Sequence, residues 1–116
     1  MKIRYYPIAR KDIKDALKWS IENFGELAAQ RYKHLIRVGI TEIADNPALP
    51  HSYSLPGLQN GVRLYHLRHS RMRAPVSGQV VKTPRHFLAY RVVGEDLVIV
   101  RLLHDRMEIA TQLESV

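Results

Sequence analysis

The chain is predicted to be α+β, with an antiparallel helical hairpin packed on one face of a mainly antiparallel four-stranded sheet, in the order β-α-α-β-β-β-α. Three observations predict it. Two long runs of helical periodicity, about 8–24 and 26–45, follow one another with only Gly25 between them. The run from His86 to Met107, HFLAYRVVGEDLVIVRLLHDRM, alternates like two strands joined at Gly94-Glu95-Asp96. Two more β-prone pieces, KIRYY at Lys2–Tyr6 and GVRLYHLRH at Gly61–His69, supply the other strands. At 116 residues, 46% apolar and 25% charged, the chain reads as one domain, 1–116, around one core.

Pro7 follows the first strand where a helix can begin, since its missing N–H costs nothing in a first turn. Ile13, Leu17, Ser20 or Ile21, and Phe24 then recur at helical spacing, with Trp19 near the edge of the stripe and Gly25 as the stop. Ala28, Tyr32, Leu35, Ile36, Gly39, Ile40 and Ile43 share one face of the second helix, which Asn46-Pro47 ends. A glycine inside a helix costs ~1 kcal/mol relative to alanine, so Gly39 is expected to admit close approach of the first helix. So short a connection makes the two helices an antiparallel hairpin.

Ala48 to Asn60 has prolines, a glycine and no period, and reads as a loop. In the strand that follows, Arg63, Tyr65, Leu67 and His69 share one face; Val62, Leu64, His66 and Arg68 share the other. Residues 70–85 are long for a hairpin connection and are expected to form an extended, mobile basic loop. Along the central hairpin, alternation puts Leu88, Tyr90, Val92, Val98, Val100, Leu102 and His104 on the face that helices would cover. Phe87, Ala89, Arg91, Val93, Leu97, Ile99, Arg101 and Leu103 form the other. A three-residue turn sets Val93 opposite Leu97 and Arg91 opposite Ile99. Arg91 and Arg101 then share an open face that wants a partner, water or an anion. In the tail, Asp105 and Glu108 fit a capping signal ahead of Ile109 and Leu113.

The chain has no cysteine, which excludes disulfides and thiolate metal sites and suits a reducing cytoplasm. MKIRYYPIARKD has no apolar leader core, and no run of eighteen apolar residues occurs, so neither export nor a membrane is expected. The net charge of +7 is unevenly placed. From Asn46 to Gly94 there is no Asp or Glu, while Arg63, Arg68, Arg71, Arg73, Lys82, Arg85 and Arg91 carry the whole excess. That segment either meets an acidic partner or is a solvated basic surface.

The helical hairpin ending in ADNPAL, the strand GVRLYHLRHSR, then RHFLAYRV and the close VIVRLLHDRME together resemble the ParE/RelE superfamily of bacterial type II toxins, over nearly the whole chain. The last two pieces, in that order, resemble the ParE branch. The resemblance implies a RelE/ParE-like fold and a small cognate ParD-like antitoxin whose partly disordered segment wraps the toxin. It implies DNA gyrase as the target for a ParE-like chain, and messenger RNA on the ribosome for a RelE-like one. The positions of RelE-type catalytic lysines fall near Leu64 and His66, that of an arginine near Phe87, and those in the tail near Glu108 and Gln112. Leucine, phenylalanine and glutamate cannot supply the cations and leaving-group acid that cleavage through a 2′-hydroxyl needs, so no catalytic residue is assigned.

His66, His69, His86 and His104 fall on or beside the strands and read either as an acid–base set near neutral pH or as sheet-edge residues with ordinary hydrogen bonds. Neither HxH nor HExxH spacing occurs and the middle of the chain lacks carboxylates, so no metal and no cofactor is expected. The residues expected to bind the antitoxin or the target are Arg63, Tyr65, Arg68, Arg71, Arg73, Arg91, Arg101, His104 and Arg106. Arg91 and Arg101 would be bidentate anchors for carboxylates, or else ion-paired inside the chain with Asp105 or Glu108. A ribosome-dependent nuclease would use the same positive surface on RNA. A plain nucleic-acid-binding module fits less well, because the basic residues lie on strands and a loop without a recognition helix.

Overall fold

The computed structural model describes every residue except Gln59 and Ser115. Its elements are β1 (Lys2–Tyr5), α1 (Pro7–Phe24), α2 (Glu26–Asp45), β2 (Tyr53–Ser54), β3 (Arg63–His66), β4 (His86–Val93), β5 (Asp96–His104) and α3 (Ile109–Leu113). The strands lie in the order β1-β5-β4-β3-β2. β1 runs parallel to β5, and every other pairing is antiparallel. The sheet therefore has five strands where four were expected. The additional one, two residues long, arises in the stretch read as a loop, where Tyr53 and Ser54 pair with Leu64 and Arg63. The strand expected to run to His69 stops at His66 and tightens into a 3₁₀ turn, Leu67–His69.

The helical hairpin covers one face of the sheet. Leu35, Ile36, Ile40 and Ile43 of α2 join Tyr65, Leu88, Tyr90, Leu97, Ile99 and Leu102 in one buried cluster, with Ile13 and Leu17 of α1 packed against it. Removing such apolar area from water is the main favourable term in folding. Gly39 admits the sheet side rather than α1: a Cβ there would sit 2.9 Å from Leu67 Cδ2 and 3.3 Å from Leu88 Cδ1.

The face expected to be open is covered. Val62, Leu64, Ala89, Val98, Val100, Leu103 and Leu113 form a second buried cluster, closed by Leu55, Leu58, Ile109 and Val116. Leu55, Leu58 and Val62 with Ile109, Leu113 and Val116 of the tail thus make a thin third layer. The faces of β4 match the expected alternation, but those of β5 are exchanged over its first half. Val93 pairs with Asp96, so the turn is Gly94-Glu95 alone, with Gly94 at φ 61°. One residue fewer in the turn flips every side chain after it. Leu97 and Ile99 therefore face the helices, and Val98 faces away. Register then shifts between Ala89 and Tyr90, whose partners are Arg101 and Ile99, leaving Val100 as the extra residue of a β-bulge. The bulge restores the expected parity, so Leu102 packs under the helices and Leu103 away from them.

Residues 70–85 are more structured than an extended loop. They carry a second 3₁₀ turn, Arg71–Arg73, and a two-bond bridge between Val76 and Gln79. Asp105 does not cap the last helix. α3 begins at Ile109, its N-cap position is Glu108 without a side-chain cap, and the Asp105 carboxylate is engaged elsewhere.

Candidate functional site

The end of the sheet away from the Gly94-Glu95 turn gathers three histidines. His66 closes β3, His86 opens β4, and His104 closes β5 directly opposite His86. Their ring nitrogens are assigned by the donors around them. The backbone N–H of Arg68 donates to His66 Nδ1 at 3.1 Å, so the ring proton lies on Nε2 and is donated to Asp105 Oδ2 at 3.1 Å. Asp105 Oδ1 accepts from Arg85 at 3.0 Å and lies 3.6 Å from His104 Nδ1. The N–H of Arg85 donates to the Tyr32 oxygen at 3.1 Å, and Tyr32 donates to His86 Nδ1 at 2.6 Å. The N–H of Arg106 donates to His104 Nδ1 at 3.1 Å. One connected set thus ties α2 to β3, β4, β5 and the tail.

Burial disfavours the charged forms of His66, His86 and Tyr32. Burial, with the neighbouring His104 ring adding to it, pushes His86 down to about 4. Burial pushes Tyr32 up to about 12 against the Arg85 N–H bond. Burial also lowers His66 despite its bond to Asp105. Burial alone would raise Asp105, but the His66 hydrogen bond and the Arg85 guanidinium bring it below the ordinary carboxylate range. Among the described residues no group of three or more His, Asp or Glu side chains is placed to hold a metal ion.

Around this cluster stand cations. Arg68, Lys82 and Arg106 are exposed, and Arg71 reaches the Val81 carbonyl at 3.4 Å, which fastens its 3₁₀ turn to the segment carrying Lys82. Arg73 lies to one side, with Nε 2.5 Å from Glu42 Oε2; Glu42 also accepts from Ser70, whose hydroxyl meets that of the buried Tyr65 at 2.7 Å. That network borders a cleft of about 480 Å³ where the His51 and His69 rings stack at 4.2 Å.

The other residues singled out from the sequence are tied down inside the chain. Arg101 is buried, and its guanidinium meets Asp12 of α1 in a bidentate pair at 2.7 and 3.1 Å. The same carboxylate accepts the N–H of Leu102 at 3.1 Å, at the edge of β5 beyond the reach of β1. Internal pairing was expected through Asp105 or Glu108; it is made with Asp12 instead. Arg91 lies over the Tyr6 ring, donates to its hydroxyl, and reaches the Asn60 carbonyl. Arg63 donates to Ser52. Arg91 and Arg101 therefore do not form an open cationic face.

Sequence reasoning missed Tyr32, which reads only as a core position of α2, and it gave Arg85 and Asp105 no shared role. Their meeting depends on strand register, which residue spacing does not carry. It also missed a groove of about 420 Å³ along the outside of the hairpin. Ile13, Leu17, Ile36 and Ile40 line it with an apolar surface, and Arg10, Lys14, Lys33 and Arg37 stand beside them.

Comparison with known proteins gives a family model described as the ParE toxin of the type II toxin–antitoxin system, parDE, which matches residues 3–109. No curated protein matches the sequence. Among solved structures, the fold is similar to the chromosomal ParDE toxin–antitoxin system of P. aeruginosa, at 13% identity over 90% of this chain and 95% of that one, TM-score 0.56. A YoeB/ParE toxin from Agrobacterium tumefaciens is 17% identical over 90% and 98%, TM-score 0.55. The isolated E. coli RelE toxin is 13% identical over 96% and 92%, TM-score 0.51.

Proposed function

The chain belongs to the ParE toxin family of type II toxin–antitoxin systems, and from that premise we propose that it binds and poisons DNA gyrase in the cytoplasm, as a device of growth control or plasmid stabilisation. The observation that favours a binding role over bond breaking is the state of the sheet-end cluster. Both nitrogens of His66, the Nδ1 atoms of His86 and His104 and the Tyr32 hydroxyl already have partners, and burial keeps His86 and Tyr32 neutral at physiological pH. A general base must be free to take a proton and must have a pKa near the working pH. A His86 with a pKa of about 4 and an occupied Nδ1 meets neither condition. The cluster is a strut, and the accessible cations around it, Arg68, Arg71 and Arg106 with His104, are the contact surface for the target.

The partner that silences it is a ParD-like antitoxin. The hairpin groove supports that reading, because an apolar floor flanked by four cations suits an amphipathic segment with acidic edges. Cation–carboxylate pairs at such a rim act on association rate and salt dependence more than on affinity.

One observation favours the ribonuclease reading. His104 is the most exposed histidine of the cluster, its Nε2 has no hydrogen-bond partner among the described residues, and Arg106 is beside it. A supercoiling assay with purified chain, with and without antitoxin, separates the two. Gyrase inhibition relieved by antitoxin is the expected result. Codon-specific cuts in translated messages, with gyrase unaffected, would replace gyrase by RNA as the target.

A further inference from the structure

The cations at the sheet end outnumber the carboxylates available to them, and the excess is spatially confined. Asp105 is spent on Arg85 and His66, and Glu42 on Arg73 and Ser70. Arg68, Arg71, Lys82 and Arg106 make no salt bridge with any described carboxylate; no acid stands between Asp45 and Glu95 in the stretch that carries the first three, and Asp105 and Glu108 beside Arg106 do not pair with it. His104 adds an N–H donor at Nε2, since its Nδ1 accepts the Arg106 N–H at 3.1 Å. The four cations are carried on rigid supports: the two 3₁₀ turns, the Arg71–Val81 tie and the turn after β5, where the Met107 N–H bonds the His104 carbonyl at 3.0 Å.

We propose that this end of the sheet holds a binding site for the phosphate backbone of duplex DNA, with Arg68, Arg71, Lys82 and Arg106 as the phosphate contacts. The inference deepens the gyrase reading, since it has the toxin touch the DNA that gyrase handles as well as the enzyme. Duplex is favoured over single-stranded nucleic acid by what is missing from the surface. Recognition of unpaired bases relies on exposed aromatic rings as stacking platforms. The large exposed aromatics are Trp19 and Phe24, which meet edge-to-face at the hairpin tip, and Tyr53 on β2; the rings at the sheet end are engaged edge-to-face with one another, His66 with Phe87 and His86 with His104. Guanidinium and ammonium groups without stacking partners read backbone charge and not sequence.

The experiment is fluorescence anisotropy of a labelled duplex titrated with the purified chain. Four phosphate contacts predict that affinity falls by about 100-fold as salt rises from roughly 50 to 200 mM. The variant carrying Arg68→Gln, Arg71→Gln and Arg106→Gln is expected to lose at least tenfold in affinity and most of that salt slope. A control carrying Lys2→Gln, Lys18→Gln and Arg31→Gln removes the same charge elsewhere and is expected to stay within about threefold of the parent. Thermal unfolding of both variants confirms that each is folded. Equal losses in the two variants, absence of duplex binding at low salt, or tighter binding of a single-stranded RNA of equal length would each overturn the site. The supercoiling assay reads the target separately. Duplex binding by a chain that leaves gyrase untouched keeps this site and removes the target, whereas gyrase inhibition without duplex binding does the reverse.

Discussion

Arg101 and Arg106 are five positions apart and are put to opposite uses. Arg101 sits under α1 against Asp12, with a side chain 11% exposed. Arg106 stands in the open turn after β5, where it meets no described carboxylate. The same division runs through the molecule: Arg63, Arg91 and Arg101 are consumed by Ser52, Tyr6, Asn60 and Asp12, while Arg68 and Arg106 are exposed and Arg71 reaches only the Val81 carbonyl. A cation counts toward recognition only where folding has failed to bring it an acceptor. Counting charges along the chain overstates the inner set and understates the concentration of the outer one.

The comparison breaks most visibly under mutation. Arg101→Ala leaves the half-buried Asp12 without its counter-charge, and losing one partner of a buried pair costs up to about 3–5 kcal/mol; urea unfolding should register that drop, and a loss below ~1 kcal/mol would mean that water replaces the guanidinium. The next effect is in pH. An unfolded His86 binds its proton near 6.5 and the folded one near 4, so the unfolded state takes up the additional proton between those values. Stability is therefore complete above about pH 6.5 and falls as pH drops toward 4, by as much as roughly 3 kcal/mol. His86→Gln should flatten that part of the stability–pH curve.

Asp105→Asn is a smaller perturbation. It removes the charge shared by Arg85 and His66 while keeping the shape, and about 1–2 kcal/mol is expected in chemical denaturation. Asp105 titrates below the ordinary range when folded, so its own contribution is present above pH ~4 and is lost as pH falls through the lowered value. Smallest in stability is Arg106→Gln, expected within about 0.5 kcal/mol of the parent. Its effect should appear instead as weaker gyrase inhibition. An Arg106 variant that unfolds as readily as Arg101→Ala would erase the division between the two sets.

Both helices were legible to within a residue, because Gly25 and Asn46-Pro47 punctuate a strong period. β4 was legible in facing but not in register: Val93 and Arg91 pair with Asp96 and Val98, not with Leu97 and Ile99. The first half of β5 was legible in neither: whether Asp96 belongs to the turn or the strand changes the parity of Leu97, Val98 and Ile99, and the sequence Gly-Glu-Asp supports either. The bulge at Val100 was equally silent, since all its neighbours but Arg101 are apolar. Arg68, Arg71, His104 and Arg106 were singled out by local charge and composition alone, and of these Arg68 and Arg106 are exposed. The fate of Arg101 depended on a carboxylate 89 residues away, which no local pattern records.

The parallel pairing of β1 with β5 sets a schedule for synthesis. Lys2 to Tyr5 leave the ribosome 94 residues ahead of their partners Asp96 to Ile99, and Arg4 waits nearly as long for Asp96. Contacts of such separation form late and slowly. A nascent chain halted before Asp96 has the helical hairpin but lacks β5, and with it the strand that bears His104 and joins β1 to the rest of the sheet. Premature termination or degradation that removes β5 thus yields a fragment whose remaining strands cannot join β1 and which lacks Arg101 and His104.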